Sequence, residues 1–139
     1  KTIKVDVPIN KIHTPIKKLK ILIVEDDEIS KLLMTIAVKK FAKEILKVST
    51  GFDAIETCRN NPDIDLVMMD INMPEMDGVE FTTRIKQMKN CKFVPVVMLS
   101  GEDDEAKIAE AKKVGISTFL KKPIKESQLK AILQVVLGS

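Results

Sequence analysis

The chain has 139 residues, of which 45% are hydrophobic, 31% charged and 4% aromatic, with a formal net charge of +3. This composition predicts one globular domain with a full core, which needs neither disulfides nor a structural metal to fold. Cys58 and Cys91 have no metal-binding spacing, so we expect a reducing, cytoplasmic compartment and not a secreted disulfide scaffold. No apolar run is long enough to cross a membrane, and the first residues lack the apolar segment of a signal peptide.

Residues 1–19 differ from the rest and are predicted to be a linker or N-terminal extension, with the domain at 20–139. Five lysines and one acid lie in this segment. The lysines are spread out, with no arginine and no aromatic residue for base stacking, so we expect a solvated linker and not a nucleic-acid arm. A strand is the alternative, because apolar residues alternate at Ile3, Val5 and Val7.

Beyond this segment, short apolar runs alternate with amphipathic stretches. The runs at 21–24, 66–69 and 94–99 are uninterrupted, which predicts central parallel strands with helices on both faces. The runs at 45–48 and 116–120 contain a lysine or hydroxyl residues, which predicts edge strands with a wetter face.

Apolar residues recur with helical spacing between the runs. Two segments show the i, i+3, i+4, i+7 repeat, at Ile29, Leu32, Leu33 and Ile36, and at Leu129, Ile132, Leu133 and Val136. Shorter stripes predict helices at 54–58 and 81–88. The stretch at 103–114 is mostly Ala, Lys and Glu, so we expect a weakly anchored helix there. Five βα units predict an α/β, flavodoxin-like doubly wound (βα)5 sandwich with the parallel strand order 2-1-3-4-5.

Ligands of such sheets bind at the carboxyl ends of the strands, so the residues that end the apolar runs are the candidate site. These residues are Glu25 and Asp26, Asp70, Ser100, and Lys122. We expect adjacent strands to bring Asp26 and Asp70 together, and two close carboxylates favour a cation between them. Mg²⁺ suits oxygen ligands and often binds phosphate as well, and a lysine at the same edge would balance a phosphoryl group. Asp27 is instead predicted to cap the helix that begins at Glu28.

At these residues the chain resembles the receiver domain of two-component response regulators, from Lys20 to about Leu137. The resemblance is carried by four motifs, which are Ile-Leu-Ile-Val-Glu-Asp-Asp at 21–27, Met-Met-Asp-Ile-Asn-Met-Pro-Glu-Met-Asp-Gly at 68–78, Val-Met-Leu-Ser-Gly at 97–101 and Phe-Leu-Lys-Lys-Pro at 119–123. The second motif is highly specific for the family.

The resemblance implies a phosphoacceptor and a metal site. Asp70 would accept the phosphoryl group and bind Mg²⁺ together with Asp26. Glu25 would reach the ion through water, and Asn72 would offer its backbone carbonyl.

The resemblance also implies a signalling switch that catalyses its own phosphorylation and dephosphorylation. Ser100 and Lys122 would contact the phosphoryl group, and Phe119 would respond with Ser100 by repacking its ring. The output face would be the helix at 103–114, strand five and the helix at 125–137. The implied partners are a histidine kinase or histidine phosphotransfer domain and an unidentified downstream protein. The chain resembles the C-terminal receiver of a hybrid histidine kinase, and a stand-alone single-domain regulator is the alternative.

Two other functions are compatible with this fold. A phosphatase of the haloacid-dehalogenase-like type also uses a strand-end aspartate with Mg²⁺, but it needs a second acid two residues later. That position is Asn72 here, and an amide cannot shuttle a proton. A docking domain that works without phosphorylation is the other alternative, although Asp26, Asp70 and Lys122 are all present.

Overall fold

The computed structural model describes residues 19–73, 75–89, 91, 93–116 and 118–137. Of the segment 1–19 predicted as a linker or N-terminal extension, residues 1–18 therefore lie outside the described residues, and Leu19 begins the first strand. The described chain forms five βα units. Their bounds are β1 Leu19–Val24, α1 Glu28–Val38, β2 Ala42–Val48, α2 Gly51–Asn60, β3 Leu66–Asp70, α3 Gly78–Lys86, β4 Val96–Ser100, α4 Glu105–Lys113, β5 Phe119–Lys121 and α5 Glu126–Leu137. In this part of the chain, no helix has the length and apolarity that a membrane span requires.

The strands form one parallel sheet in the order β2-β1-β3-β4-β5, which confirms the predicted fold and the predicted edge strands. Successive side chains of the central strands point alternately into two cores. In β1, for example, Leu22 and Val24 contribute to one core, and Ile21 and Ile23 to the other. Every residue of β1, β3 and β4 is buried, which is why these strands are nearly continuous apolar runs in the sequence.

The helices divide between the two faces of the sheet. Helices α2, α3 and α4 bury residues in the first core, among them Ala54, Phe81 and Ala111. Helices α1 and α5 cover the other face, where Met34 and Leu133 are fully buried. Both faces of the sheet are therefore covered, as in other doubly wound folds.

Helix α1 forms where its apolar repeat predicts it, but the residues of that repeat lie on the surface. Ile29, Leu32, Leu33 and Ile36 are 70%, 58%, 55% and 59% exposed. The helix is held to the sheet by residues outside the repeat, chiefly Met34 and Val38. Four large apolar side chains thus form a contiguous exposed face, which we call the α1 apolar face.

Helix α4 is weakly anchored, as its composition predicts. Of its nine residues, Ala111 is the one that is fully buried, and Ile108 is partly buried against the same core. A single methyl group and part of one isoleucine contribute little burial energy, so α4 is the helix that the core restrains least.

The contrast between the two kinds of helix surface leads to a stability prediction. Leu133→Ala should lower the free energy of unfolding by about 2–5 kcal/mol, because it opens a cavity under α5. Leu32→Ala, the same change at an exposed site, should alter it by less than about 0.5 kcal/mol. Urea unfolding of both variants measures the difference, and equal losses would mean that the α1 apolar face is buried in the folded chain.

Candidate functional site

The carboxyl ends of the strands meet at one edge of the sheet, and backbone hydrogen bonds extend the ladders just beyond them. The amide of Glu25 donates to Val48 O at 3.1 Å, and the amide of Lys122 donates to Ser100 O at 2.9 Å. These bonds fix the backbone of Glu25 and Lys122 although both residues follow their strands. Their side chains therefore start from defined positions above the sheet.

Lys122 lies between two buried carboxylates. Its Nζ is 2.6 Å from Asp70 Oδ2 and 3.3 Å from Glu25 Oε1. Asp70 and Glu25 are 6% and 1% exposed. Partial burial acts to lower the pKa of Lys122, but the hydrogen bond and charge of Asp70, with those of Glu25, outweigh it and the net pKa is raised. Lys122 is therefore a firmly charged ammonium at the end of β5.

Glu25 is a buried carboxyl group whose charged form is disfavoured by its surroundings. Burial raises its pKa to about 7; the backbone amide of Asp27 acts to lower it, and the charge of Asp70 adds to the rise. The Asp27 amide donates to Oε2 of Glu25 at 3.1 Å. One ammonium serves two carboxylates, so negative charge is in excess here.

Asp26 and Asp27 have different roles. Asp27 accepts a hydrogen bond from the amide of Ser30 at 2.8 Å, and this bond lowers its pKa, which confirms Asp27 as the cap of α1. Asp26 is exposed at the rim of the site. Within the described residues, no three His, Cys, Asp or Glu side chains lie close enough together to hold a metal ion. The structure therefore brings together Glu25, Asp70 and Lys122, whereas Asp26, the next residue after Glu25, is exposed.

Asn72 connects Asp70 to a second loop, a contact that the sequence does not predict. Its backbone amide donates to Asp70 Oδ1 at 2.9 Å, and its side-chain Nδ2 donates to Asp104 Oδ1 at 2.9 Å. Lys107 of α4 donates to the Asn72 side-chain oxygen. An acid directly before a helix is typical of an ordinary cap, so the sequence gives no signal that Asp104 belongs to the site.

Ser100 and Phe119 lie on the same side of the sheet. The register pairs Met98 with Phe119 and Ser100 with Lys121, and side chains two residues apart in a strand share a face. Ser100 is buried at the end of β4, and Phe119 is half-buried against the core beneath α4. Ser100 and Phe119 are therefore diagonal neighbours on the face of the sheet that α4 covers.

The sequence matches a known family over most of its length. A family model described as "Response regulator receiver domain" matches residues 21–134. The chain belongs to the response regulator receiver domain family. This membership confirms the resemblance seen in the motifs and makes the chain a receiver domain of two-component signalling.

Two curated relatives and one solved structure illustrate the range of the family. The Two-component response regulator-like PRR73 of Oryza sativa subsp. indica is 31% identical over 125 residues, covering 88% of this chain and 16% of the rice protein. Chemotaxis protein CheY1 of Helicobacter pylori is 29% identical over 122 residues, covering 87% of this chain and 98% of that protein. Chemotaxis response regulator CheY4 of Vibrio cholerae superposes with a TM-score of 0.76 at 29% identity, covering 86% of this chain and 99% of that one. The receiver domain thus spans only a small part of the rice protein and nearly all of the chemotaxis proteins.

The raised pKa of Glu25 predicts how pH affects the stability of this receiver domain. Between the ordinary pKa of a glutamate, about 4.3, and about 7, the folded state holds a proton that the unfolded state has lost. Glu25 therefore withdraws stability as pH rises through this window. Glu25→Gln removes the effect, so the difference in melting temperature, variant minus wild type, should rise by a few degrees, roughly, between pH 5 and pH 8. Thermal unfolding in a chelating buffer tests this, and a constant difference across the range would contradict it.

Proposed function

We propose that this receiver domain takes a phosphoryl group from a phosphohistidine onto Asp70 in an Mg²⁺-dependent reaction and signals by a conformational change. The observation that carries the proposal is the ammonium of Lys122, 2.6 Å from the Asp70 carboxylate at the end of a buried strand. A carboxylate that is paired with one cation and lies at the carboxyl end of a strand is suited to attack an incoming phosphoryl group. Family membership supports the same role.

In the transfer, an oxygen of Asp70 forms a bond to phosphorus as the bond between phosphorus and the donor nitrogen breaks. The electron pair of that bond leaves with the imidazole, and the product is an acyl phosphate. Lys122 is placed to interact with the new charge, and Ser100 ends the neighbouring strand where its hydroxyl can donate to a phosphoryl oxygen. The same groups serve the hydrolysis that ends the signal.

The donor chemistry of the site suits Mg²⁺. The available ligands are oxygens, namely the carboxylates of Asp26, Asp70 and Glu25 and the backbone carbonyl of Asn72. Two buried carboxylates, Asp70 and Glu25, share the single ammonium of Lys122, and a divalent cation would balance the remaining negative charge. Asp26 would turn inward from its exposed position. When bound, Mg²⁺ would neutralise the phosphoryl oxygens as charge develops on them.

The added charge gives the switch its driving force. An acyl phosphate carries close to two negative charges where Asp70 carried one. Ser100 and Lys122 gain a partner that they lacked, and a shift of Ser100 opens space beside Phe119 on the same face. We place the output on α4, β5 and α5, because α4 borders this space and is weakly held.

A small phosphodonor tests the acceptor assignment. With Mg²⁺ and acetyl phosphate, intact-mass measurement should show one added phosphoryl group on the wild type and none on Asp70→Asn, because the amide is not a nucleophile of comparable strength.

Two outcomes would refute the assignment. Equal labelling of the wild type and of Asp70→Asn would show that another residue is the acceptor. Labelling of the wild type that persists after chelation of all divalent metal would remove Mg²⁺ from the reaction.

The α1 apolar face is the surface that we assign to the phosphodonor protein. It adjoins the site through a groove of about 250 Å³ that is lined by Ser30, Leu33, Met34, Leu99, Lys122, Pro123 and Ile124. A protein that presents a phosphohistidine to Asp70 must approach this edge of the sheet. Exposed Leu33 belongs both to the face and to the groove, so a donor bound there reaches the site without crossing another element.

A charged substitution separates docking from chemistry. Leu32→Asp should lower the rate of phosphoryl transfer from a histidine kinase by about tenfold or more, because it buries a carboxylate at an apolar contact. Labelling by acetyl phosphate should stay unchanged, because Leu32 is exposed and outside the groove. The matched control is Phe52→Asp on α2, which packs on the other face of the sheet. A panel of purified, autophosphorylated kinases provides the donors. Equal rates of phosphoryl transfer to Leu32→Asp and to Phe52→Asp would rule out this docking face.

A further inference from the structure

Asp104 occupies the N-cap position of α4 without capping it. In the described chain, its carboxylate makes no hydrogen bond to an amide of its own helix. Aspartate at an N-cap ordinarily makes such a bond, which stabilises the first turn of the helix. Asp104 is also 8% exposed, which is unusual for an aspartate near a helix end. Its carboxylate must therefore be held by contacts elsewhere.

Those contacts join the two loops that flank the phosphoacceptor. Asp104 Oδ1 accepts from Asn72 Nδ2 at 2.9 Å, and Oδ2 accepts from the Gly101 amide at 2.6 Å. The backbone amide of Asn72 in turn donates a hydrogen bond to Asp70 Oδ1, and Gly101 directly follows Ser100. The carboxylate thus bridges the loop after β3 and the loop after β4, beside the position where a phosphoryl group would form.

We propose that Asp104 is a positioning residue that stabilises the unphosphorylated form. Its carboxylate, an anion that belongs to the protein itself, accepts hydrogen bonds from donors beside the phosphoacceptor, namely Asn72 Nδ2 and the Gly101 amide. This inference rests on the proposed phosphorylation of Asp70. A phosphoryl group there places additional negative charge one hydrogen-bonded residue away from the Asp104 carboxylate. The two anions repel each other and compete for the donors of the loops after β3 and β4.

Displacement of Asp104 would act directly on the output face. Asp104 is the residue from which α4 starts, and Lys107 of the same helix contacts the Asn72 side chain. With Ala111 as its one fully buried residue, α4 has little else to keep it in place. Loss of the two Asp104 hydrogen bonds therefore frees the first turn of the helix, which couples charge at Asp70 to motion of α4.

The test compares Asp104→Asn with Asp103→Asn. Both variants remove one negative charge from the same loop and preserve side-chain size, but Asp103 is exposed and Asp104 is buried. Affinity for beryllofluoride, a phosphoryl mimic, is measured in Mg²⁺ by ¹⁹F NMR titration. Asp104→Asn should bind about fivefold more tightly than wild type, because the competing anion is gone, whereas Asp103→Asn should stay close to wild type.

A second measurement requires neither the mimic nor metal. In chelating buffer, amide hydrogen exchange of residues 105–113 should be faster in Asp104→Asn than in Asp103→Asn, since the restraint on α4 is lost.

The outcomes separate this inference from the proposed function. Equal or weaker beryllofluoride binding by Asp104→Asn, while the wild type binds, would overturn the inference and leave the proposed function intact, because a merely structural residue weakens the site when it is changed. Unchanged exchange in α4 would also overturn the inference. A wild type that does not bind beryllofluoride would refute the proposed function, and with it this role for Asp104.

Discussion

The ammonium of Lys122, held between Asp70 and Glu25, is the contact on which the site depends. It can form only because β1, β3 and β5 end at the same edge of the sheet, although β4 separates β3 from β5. The strands end together because all of them run parallel, so the parallel topology is a requirement of the site. The buried ladders below it leave the backbone of Lys122 little freedom, and the lysine stem reaches across the end of β4.

One cation between two buried carboxylates leaves negative charge in excess, and two consequences follow. The first is the raised pKa of Glu25, to which burial and the charge of Asp70 both contribute. The second concerns any phosphoryl group on Asp70, which adds charge of the sign already in excess. On the proposed function, a divalent cation would therefore balance the charges of this site during the reaction. The added charge at Asp70 would also repel the carboxylate of Asp104, which is joined to Asp70 through Asn72.

Much of the fold could be predicted from the sequence, because burial on both faces produces a local pattern. The uninterrupted runs at 21–24 and 66–69 identify central strands, and the lysine in Ile45-Leu46-Lys47-Val48 identifies an edge. Residues that end these runs lie at the candidate site by geometry alone, and the acid Asp27, followed by a helix, is the cap that its position predicts. Boundaries are harder to predict, because a buried residue need not belong to a strand: β5 is limited to Phe119–Lys121, although Ile116 at the start of the predicted run is also buried.

Two features could not be predicted, because periodicity reports spacing and not what covers a residue. The repeat that begins at Ile29 identifies a helix, but a buried apolar repeat and an exposed one have the same spacing in sequence. Here the repeat is exposed, and Met34 and Val38 hold the helix to the sheet. Asp104 has the sequence context of a cap, while the structure gives its carboxylate to another loop. Both departures lie beside the site. On the proposed function, the first leaves apolar surface on α1 for a donor to cover, and the second leaves α4 tied to the site by hydrogen bonds that a new charge can break. The donor would then bind one helix, α1, and the signal would leave through another, α4.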